Sequence, residues 1–342
     1  MDDPSVDPWE EAYDLMDRVR ELAPWRWMAD DEVFAVHVEE MGWTGYVSVF
    51  GAGGTSYGIF VFVGDVGLWT RQRQVELSER IERGERVDEA ELLEYLPYGL
   101  SATFADRDDV SPAQRRRIRE CGRAYRGRGA WPSLLRHDPG FAPDEPGEDE
   151  LYLLCVTLLA TLRTAERQRE DREYVHPNGQ MRLVTYGSDG DWRDGSCTPE
   201  PQPPPQAAPV DYADLLHRLG RQGQEPEGTW EVDFFYLQGL VSDGRGQRPF
   251  YPRAAIVVDA SGLVVNAMVE APGAFARQAG LRLFETFLLH GPPAVVRARH
   301  ADAVAALQPL AQALGVKLNV ASRLTAADRA RRELLRHMGT MP

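Results

Sequence analysis

Carboxylates are the first side chains to read in this chain, because acidic oxygens are the ligands that hard cations such as magnesium and manganese prefer. Four stand out in its last third: Asp233 in Trp230-Glu-Val-Asp, Asp259 in Val-Val-Asp-Ala-Ser-Gly, Asp302 just beyond Ala294-Val-Val-Arg-Ala-Arg, and Glu333 in Ala330-Arg-Arg-Glu-Leu-Leu. Each also has a purely structural reading. Asp233 alternates with Val232 and Phe234, as an exposed position on a strand would. Asp259 begins an Asp-x-x-Gly, which is turn chemistry for a hairpin. Asp302 is placed to cap a helix over Ala303 to Leu314, and Glu333 falls in a charged terminal helix, where an acid is usually surface. His290 and His300 flank the segment 294–299 with one ring on each side and read as polar loop residues rather than metal ligands.

Other chemistries lack their motifs. The chain has no Gly-x-Ser-x-Gly, no His-Glu-x-x-His and no Gly-x-Gly-x-x-Gly opening a helix after a strand. Gly51-Ala-Gly-Gly-Thr-Ser-Tyr57 suggests a phosphate loop only superficially. No Gly-Lys-Ser/Thr follows it, and the next element reads as a strand rather than a helix whose free N–H groups would face an anion. Cys121, Cys155 and Cys197 lie far apart without a Cys-x-x-Cys, so neither a disulfide framework nor a zinc knuckle is signalled.

Arginine supplies almost all the positive charge, Lys317 being the one lysine. The net charge of −15 opposes general binding of a polyanion. That charge is unevenly spread: residues 207–342 carry 15 basic and 13 acidic side chains, leaving 23 and 40 for residues 1–206. A nucleic acid, if bound, belongs on the C-terminal half. The helix opened by Ser111-Pro-Ala-Gln, with Arg115, Arg116, Arg117, Arg119 and Arg123, reads as a solvated helix, because no aromatic residues interleave for base stacking.

The elements that position these residues follow from periodicity. Pro8 to Leu22 repeats as one helical face behind an Asp7 cap. Val33 to Val38, Gly45 to Phe50 and Gly58 to Gly64 alternate as an antiparallel meander. Leu68 to Arg83 and Val87 to Tyr95 read as charged helices, Leu100 to Phe104 as a strand, Trp131 to Pro143 as a loop, and Glu148 to Arg169 as a long helix with an apolar first half. Six prolines between Thr198 and Pro209 predict an extended spacer, and Asp211 to Gly220 a short amphipathic helix. Beyond it, Trp230 to Met338 reads strand, strand, strand, helix, strand, helix, strand, helix.

That order resembles the ribonuclease H-like core of retroviral integrases and transposases. In such cores a carboxylate on the first strand, a second after the fourth and a third on a later helix hold two metal ions, which stabilise the attacking and leaving oxygens of a phosphoryl displacement. The resemblance places Asp233 first and Glu333 third. The second position falls at Arg297 or Arg299, where a guanidinium would repel a divalent cation, with Asp302 close by. The N-terminal half, through Trp25-Arg-Trp-Met, Tyr46-Val-Ser-Val-Phe-Gly, Arg126-Gly-Arg-Gly-Ala-Trp-Pro and Pro139-Gly-Phe-Ala-Pro, resembles the first domain of a bacterial two-domain family of unknown function.

The sequence therefore predicts an α/β protein: an α+β domain over 1–197, a proline-rich linker over 198–209 and a ribonuclease H-like mixed-sheet domain over 210–342. The expected function is that of a non-catalytic binding or scaffold protein without cofactor, engaging protein or nucleic acid through Arg297, Arg299, Arg329 and Arg332. The alternative is a nuclease or strand-transferase using Asp233, Asp259, Asp302 and Glu333, with magnesium or manganese held by Asp233 and Glu333. The longest apolar run, Leu151 to Leu162, is too short to span a bilayer, and the N-terminus lacks the pattern of a secretory signal, so the cytoplasm is the expected location.

Overall fold

A computed structural model describes residues 7–204, 227–242, 244 and 246–337. The predicted helix over 211–220 and the spacer beyond residue 204 lie outside the described residues. The chain divides into two compact units, the first formed by residues 1–84, 95–139 and 143–203, the second by 85–94, 140–142 and 204–342. The second unit thus takes in two short pieces of the N-terminal half that no single cut of the chain would assign to it.

The first unit is a seven-stranded sheet with helices on both faces. Its strands are β1 (Phe34–Val38), β2 (Trp43–Phe50), β3 (Tyr57–Val63), β4 (Gly99–Ala105), β5 (Trp131–His137), β6 (Met181–Tyr186) and β7 (Trp192–Cys197), in the spatial order β5-β4-β3-β2-β1-β6-β7. The neighbours are antiparallel except β1 and β6. Helices α1 (Pro8–Leu22) and α5 (Glu148–Glu170) pack together over one face, burying Tyr13, Met16, Leu154 and Leu158 against Phe34, Val47 and Val61. Helix α2 (Gly64–Glu82) covers the other face through Leu68. Asp7 and Ser111 cap α1 and α4 (Pro112–Glu120) as predicted, each accepting from a backbone N–H of the first turn.

The loop expected over 131–143 is corrected by the structure, since Trp131–His137 is a strand. Pro132 misled the sequence reading. β5 is the outer strand of the sheet, where a missing N–H leaves no ladder bond broken. The arginines of α4 and of the turn after it are not simply solvated either. Arg117 pairs with Glu145 at 2.9 Å and stacks over the Trp9 ring at 4.2 Å, while Arg123 joins Asp14 and Asp17 of α1.

The three cysteines are free thiols. Burial pushes the Cys155 thiol up to about 12. Because this folded value lies above the ordinary 9.0, the stability contributed by the neutral thiol is complete below pH 9 and is lost as pH climbs from 9 toward 12. In native protein at pH 8, Ellman's reagent should reach the half-buried Cys121 and Cys197 but titrate Cys155 only after urea unfolding. Rapid native labelling of all three would contradict the packing.

The second unit holds a five-stranded sheet of β8 (Thr229–Tyr236), β9 (Arg253–Asp259), β10 (Val264–Glu270), β11 (Val295–Ala298) and β12 (Lys317–Val320), ordered β10-β9-β8-β11-β12. β8, β11 and β12 run parallel, while β9 is antiparallel to both β8 and β10. Helices α6 (Pro272–His290) and α7 (Ala301–Leu314) cover one face, packing Phe275, Phe287 and Leu307 on Trp230, Val232 and Phe234. The opposite face is covered by α8 (Thr325–His337) and by α3 (Glu89–Glu94), whose Ala90 joins Phe235, Ile256 and Ala330. The α/β class predicted from the sequence is what is found. β8, with strands on both sides and helices on both faces, is buried almost throughout, so its alternation does not separate inside from outside.

Candidate functional site

β8 sends Glu231, Asp233 and Phe235 to the α8 face and Val232 and Phe234 to the other, as its two-residue period requires. Asp233 is 0% exposed, which corrects its reading as a solvent-facing strand position. Covering both faces of a central strand removes the water that an alternating pattern leads one to expect.

Parallel pairing of Ala298 with Val232 brings the next residue of the chain, Arg299, beside Asp233. Its Nη2 lies 2.5 Å from Asp233 Oδ2 and its Nε 3.3 Å from Oδ1, a two-point clamp of guanidinium on carboxylate. The same Nη2 donates to Asp328 of α8 at 2.8 Å. One turn along α8, Arg331 approaches Asp233 Oδ2 at 3.7 Å, pairs with Asp88 and lies over the Phe235 ring at 5.3 Å. His300 Nε2 stands 3.6 Å from Asp233 Oδ1. Burial drives the Asp233 carboxyl above its ordinary value against the pull of Arg299. Burial also works against the Arg299 cation, yet Asp233 and Asp328 hold it above the usual arginine value.

Two further knots share this unit. Arg253 opens β9, with Glu94 at 2.7 Å and Asp302 at 2.6 Å, and its guanidinium lies over the Tyr236 and Phe275 rings at 5.0 and 4.8 Å. Burial raises the Glu94 carboxyl, Arg253 opposing it. Glu231, 6% exposed, accepts from Arg297 at 2.8 Å on one oxygen and from the backbone N–H groups of Ala326 and Ala327 on the other, at 2.7 and 3.0 Å. It thereby caps the start of α8 from a neighbouring strand, where the helix dipole favours negative charge. Glu231→Ala should cost about 2–3 kcal/mol by leaving those donors unpaired, seen as faster amide exchange in the first turn of α8. Unchanged exchange there would argue that the cap is idle.

The four predicted carboxylates do not converge. Asp302 sits in the first turn of α7, which starts at Ala301 with His300 in the cap position, so it is not the cap itself. Its Oδ1 accepts from Ala303 N at 2.9 Å and its other oxygen faces Arg253. Asp259, at the opposite end of β9 from Arg253, closes the hairpin to β10 by accepting from Ser261 Oγ at 2.6 Å, Ser261 N at 2.8 Å and Leu263 N at 3.0 Å. The Ser261 hydroxyl and these amides hold its carboxyl below the usual range. Glu333 is exposed on α8, where its own carbonyl accepts from His337. Asp328, not Glu333, is the α8 acid beside Asp233.

Of the predicted basic contacts, Arg299 is turned inward, Arg297 is held by Glu231 and by the Arg323 carbonyl, and Arg329 and Arg332 remain exposed. Among the described residues no three His, Cys, Asp or Glu side chains are grouped so as to hold a metal ion. With a guanidinium on both oxygens of Asp233, the residues present do not fit magnesium or manganese. Sequence reading missed Glu231, Arg253, Asp328 and Glu94. The spacing of Glu231 and Asp233, two apart on one strand face, was the available signal.

Comparison with known proteins is consistent with two modules. Residues 9–185 match the family described as Domain of unknown function (DUF7309), and residues 215–335 match Domain of unknown function (DUF6930). No curated protein matches the chain. A chain in the solved structure of the simian T-cell lymphotropic virus intasome in complex with PP2A regulatory subunit B56 gamma matches at 14% identity and a TM-score of 0.25, covering 35% of this chain and 45% of that one.

Proposed function

For a chain that belongs to the family described as Domain of unknown function (DUF7309), we propose a non-catalytic role: a two-domain binding or scaffold protein that engages a protein or nucleic acid partner through its C-terminal unit. The reading takes that unit as a ribonuclease H-like domain whose acidic centre has become an ion-pair network. Its strand order β10-β9-β8-β11-β12, with β9 antiparallel and helices after the third, fourth and fifth strands, supports that relation. The single observation that carries the proposal is the clamp of Arg299 on the fully buried Asp233. Both oxygens of a carboxylate so held already face a guanidinium, and a divalent cation entering would have to approach that positive charge or expel it.

Exposed Arg329 and Arg332 give α8 a basic outer face suited to an acidic partner surface. The net charge of −15 over the whole chain opposes a long polyanion, which favours a protein partner. The cytoplasm remains the proposed location. Calorimetric titration of the full chain with magnesium and with manganese should give no saturable heat, and Asp233→Asn should behave alike. Saturable binding that Asp233→Asn abolishes would sink the non-catalytic reading and revive phosphodiester cleavage.

A further inference from the structure

The first unit contains a cleft of about 620 Å³, a size typical of small-molecule sites. Three aromatic rings and three guanidiniums line it: Trp25, Tyr57 and Phe104, with Arg20, Arg26 and Arg128. Among the described residues that line it none is acidic, although residues 1–206 carry 40 acids against 23 bases. That local reversal of sign, in the strongly negative half of the chain, is the observation to explain.

The rings are organised by backbone that only particular residues allow. Ala23 ends α1 in the left-handed region at φ 52°, turning the chain into the short 3-10 turn Pro24–Arg26 that presents Trp25 and Arg26. Gly51, at φ 138°, opens the β2–β3 connection. A Cβ there would come within 2.6 Å of the Tyr57 ring and 3.0 Å of Trp25, so glycine lets the two rings approach. Trp25 then stands 5.2 Å from Tyr57, tilted by 44°, and 5.8 Å from Phe104. The three rings pack at angles to one another, Trp25 touching both Tyr57 and Phe104, and together give the cleft an aromatic side.

The guanidiniums are only partly committed. Arg20 donates one Nη to the Ala130 carbonyl at 3.1 Å and leans over Phe104 at 5.8 Å. Arg128 is 95% exposed and lies 3.6 Å from Asp106, a solvent-screened pair that holds it weakly. Arg26 is exposed. Planar guanidiniums beside an aromatic wall suit a ligand with a phosphate at one end and a flat ring at the other.

We propose that this cleft binds a nucleoside monophosphate, its base packed against the aromatic side formed by Trp25 and Tyr57 and its phosphate held by Arg26 and Arg128. A nucleic-acid strand is disfavoured because the surrounding acidic field repels a polyanion, whereas a small dianion feels mainly the nearby guanidiniums. The glycine-rich connection takes part as a wall of the cleft through Gly51 and Gly54, not as a phosphate loop.

The test is calorimetric titration of the full chain with AMP, GMP, CMP and UMP, and with adenosine and inorganic phosphate as partial probes. At least one nucleotide should bind at a single site. Adenosine and phosphate should each bind about tenfold more weakly or worse. Arg26→Glu and Arg128→Glu, both on exposed side chains, should each weaken the nucleotide by about tenfold while leaving the circular dichroism spectrum unchanged. Arg116→Glu, on an exposed side chain of the same unit that does not line the cleft, should leave the affinity unchanged. Absence of saturable binding by any of the nucleotides overturns the proposal. So does binding that is indifferent to both cleft variants, or adenosine binding as tightly as AMP.

Discussion

Asp233→Ala is expected to destabilise the second unit by about 3–5 kcal/mol, the cost of emptying a fully buried carboxylate site and stripping the half-buried Arg299 guanidinium of that partner. Arg299 would retain Asp328 alone, and Arg331 would lose one of its two acids. The change should appear in a urea transition followed by amide exchange of β8 and β11, since a two-unit chain need not unfold in a single step. Combined with Arg299→Met, the change should cost less than the sum of the two single losses, because the Asp233–Arg299 interaction can be removed only once. If Asp233→Ala costs less than about 1 kcal/mol, the pair is no more than a surface-like contact and the proposed function loses its support.

Arg253→Met is expected to be comparably severe, about 3–5 kcal/mol, for the complementary reason. It removes the cation shared by Glu94 and Asp302 and the stacking on Tyr236 and Phe275. Two carboxylates are then left near each other without their counter-charge. The proton affinity of Glu94 must rise, adding to the upward push that burial already gives it. A carboxyl whose folded value lies above its unfolded one contributes stability that is present below the unfolded value and lost as pH rises through the folded one. The deficit of Arg253→Met relative to the parent should therefore be larger at pH 8 than near pH 4. Because Glu94 ends α3, amide exchange over residues 85–94 should accelerate first. A deficit that is flat in pH would mean that Glu94 does not depend on this arginine.

Much of the architecture follows from local pattern. The 3.6-residue repeat and Asp7 cap define α1, two-residue alternation defines β1 to β3, and Asp259 with Gly262 defines the β9–β10 hairpin, because these signals depend only on neighbours in the chain. Strand β5 was hidden by Pro132, whose tolerance depends on lying at the sheet's edge. Strands β6 and β7 went unassigned because Arg182, Arg193 and Asp194 break the apolar alternation that a strand is read from.

The site divides along the same line. Sequence alone placed Asp233 on a strand, put an arginine at the end of the parallel strand beside it and excluded the common catalytic motifs, since each is a matter of residue type and order. It could not decide which acid of the last helix meets Asp233, nor find Glu94 and Arg253. Those are partnerships between residues separated by up to 159 positions, set by the side on which a segment packs rather than by spacing. Only the tertiary structure removed water from Asp233 by covering both faces of β8, and that removal turns an ordinary strand aspartate into a carboxylate that must be matched by a guanidinium.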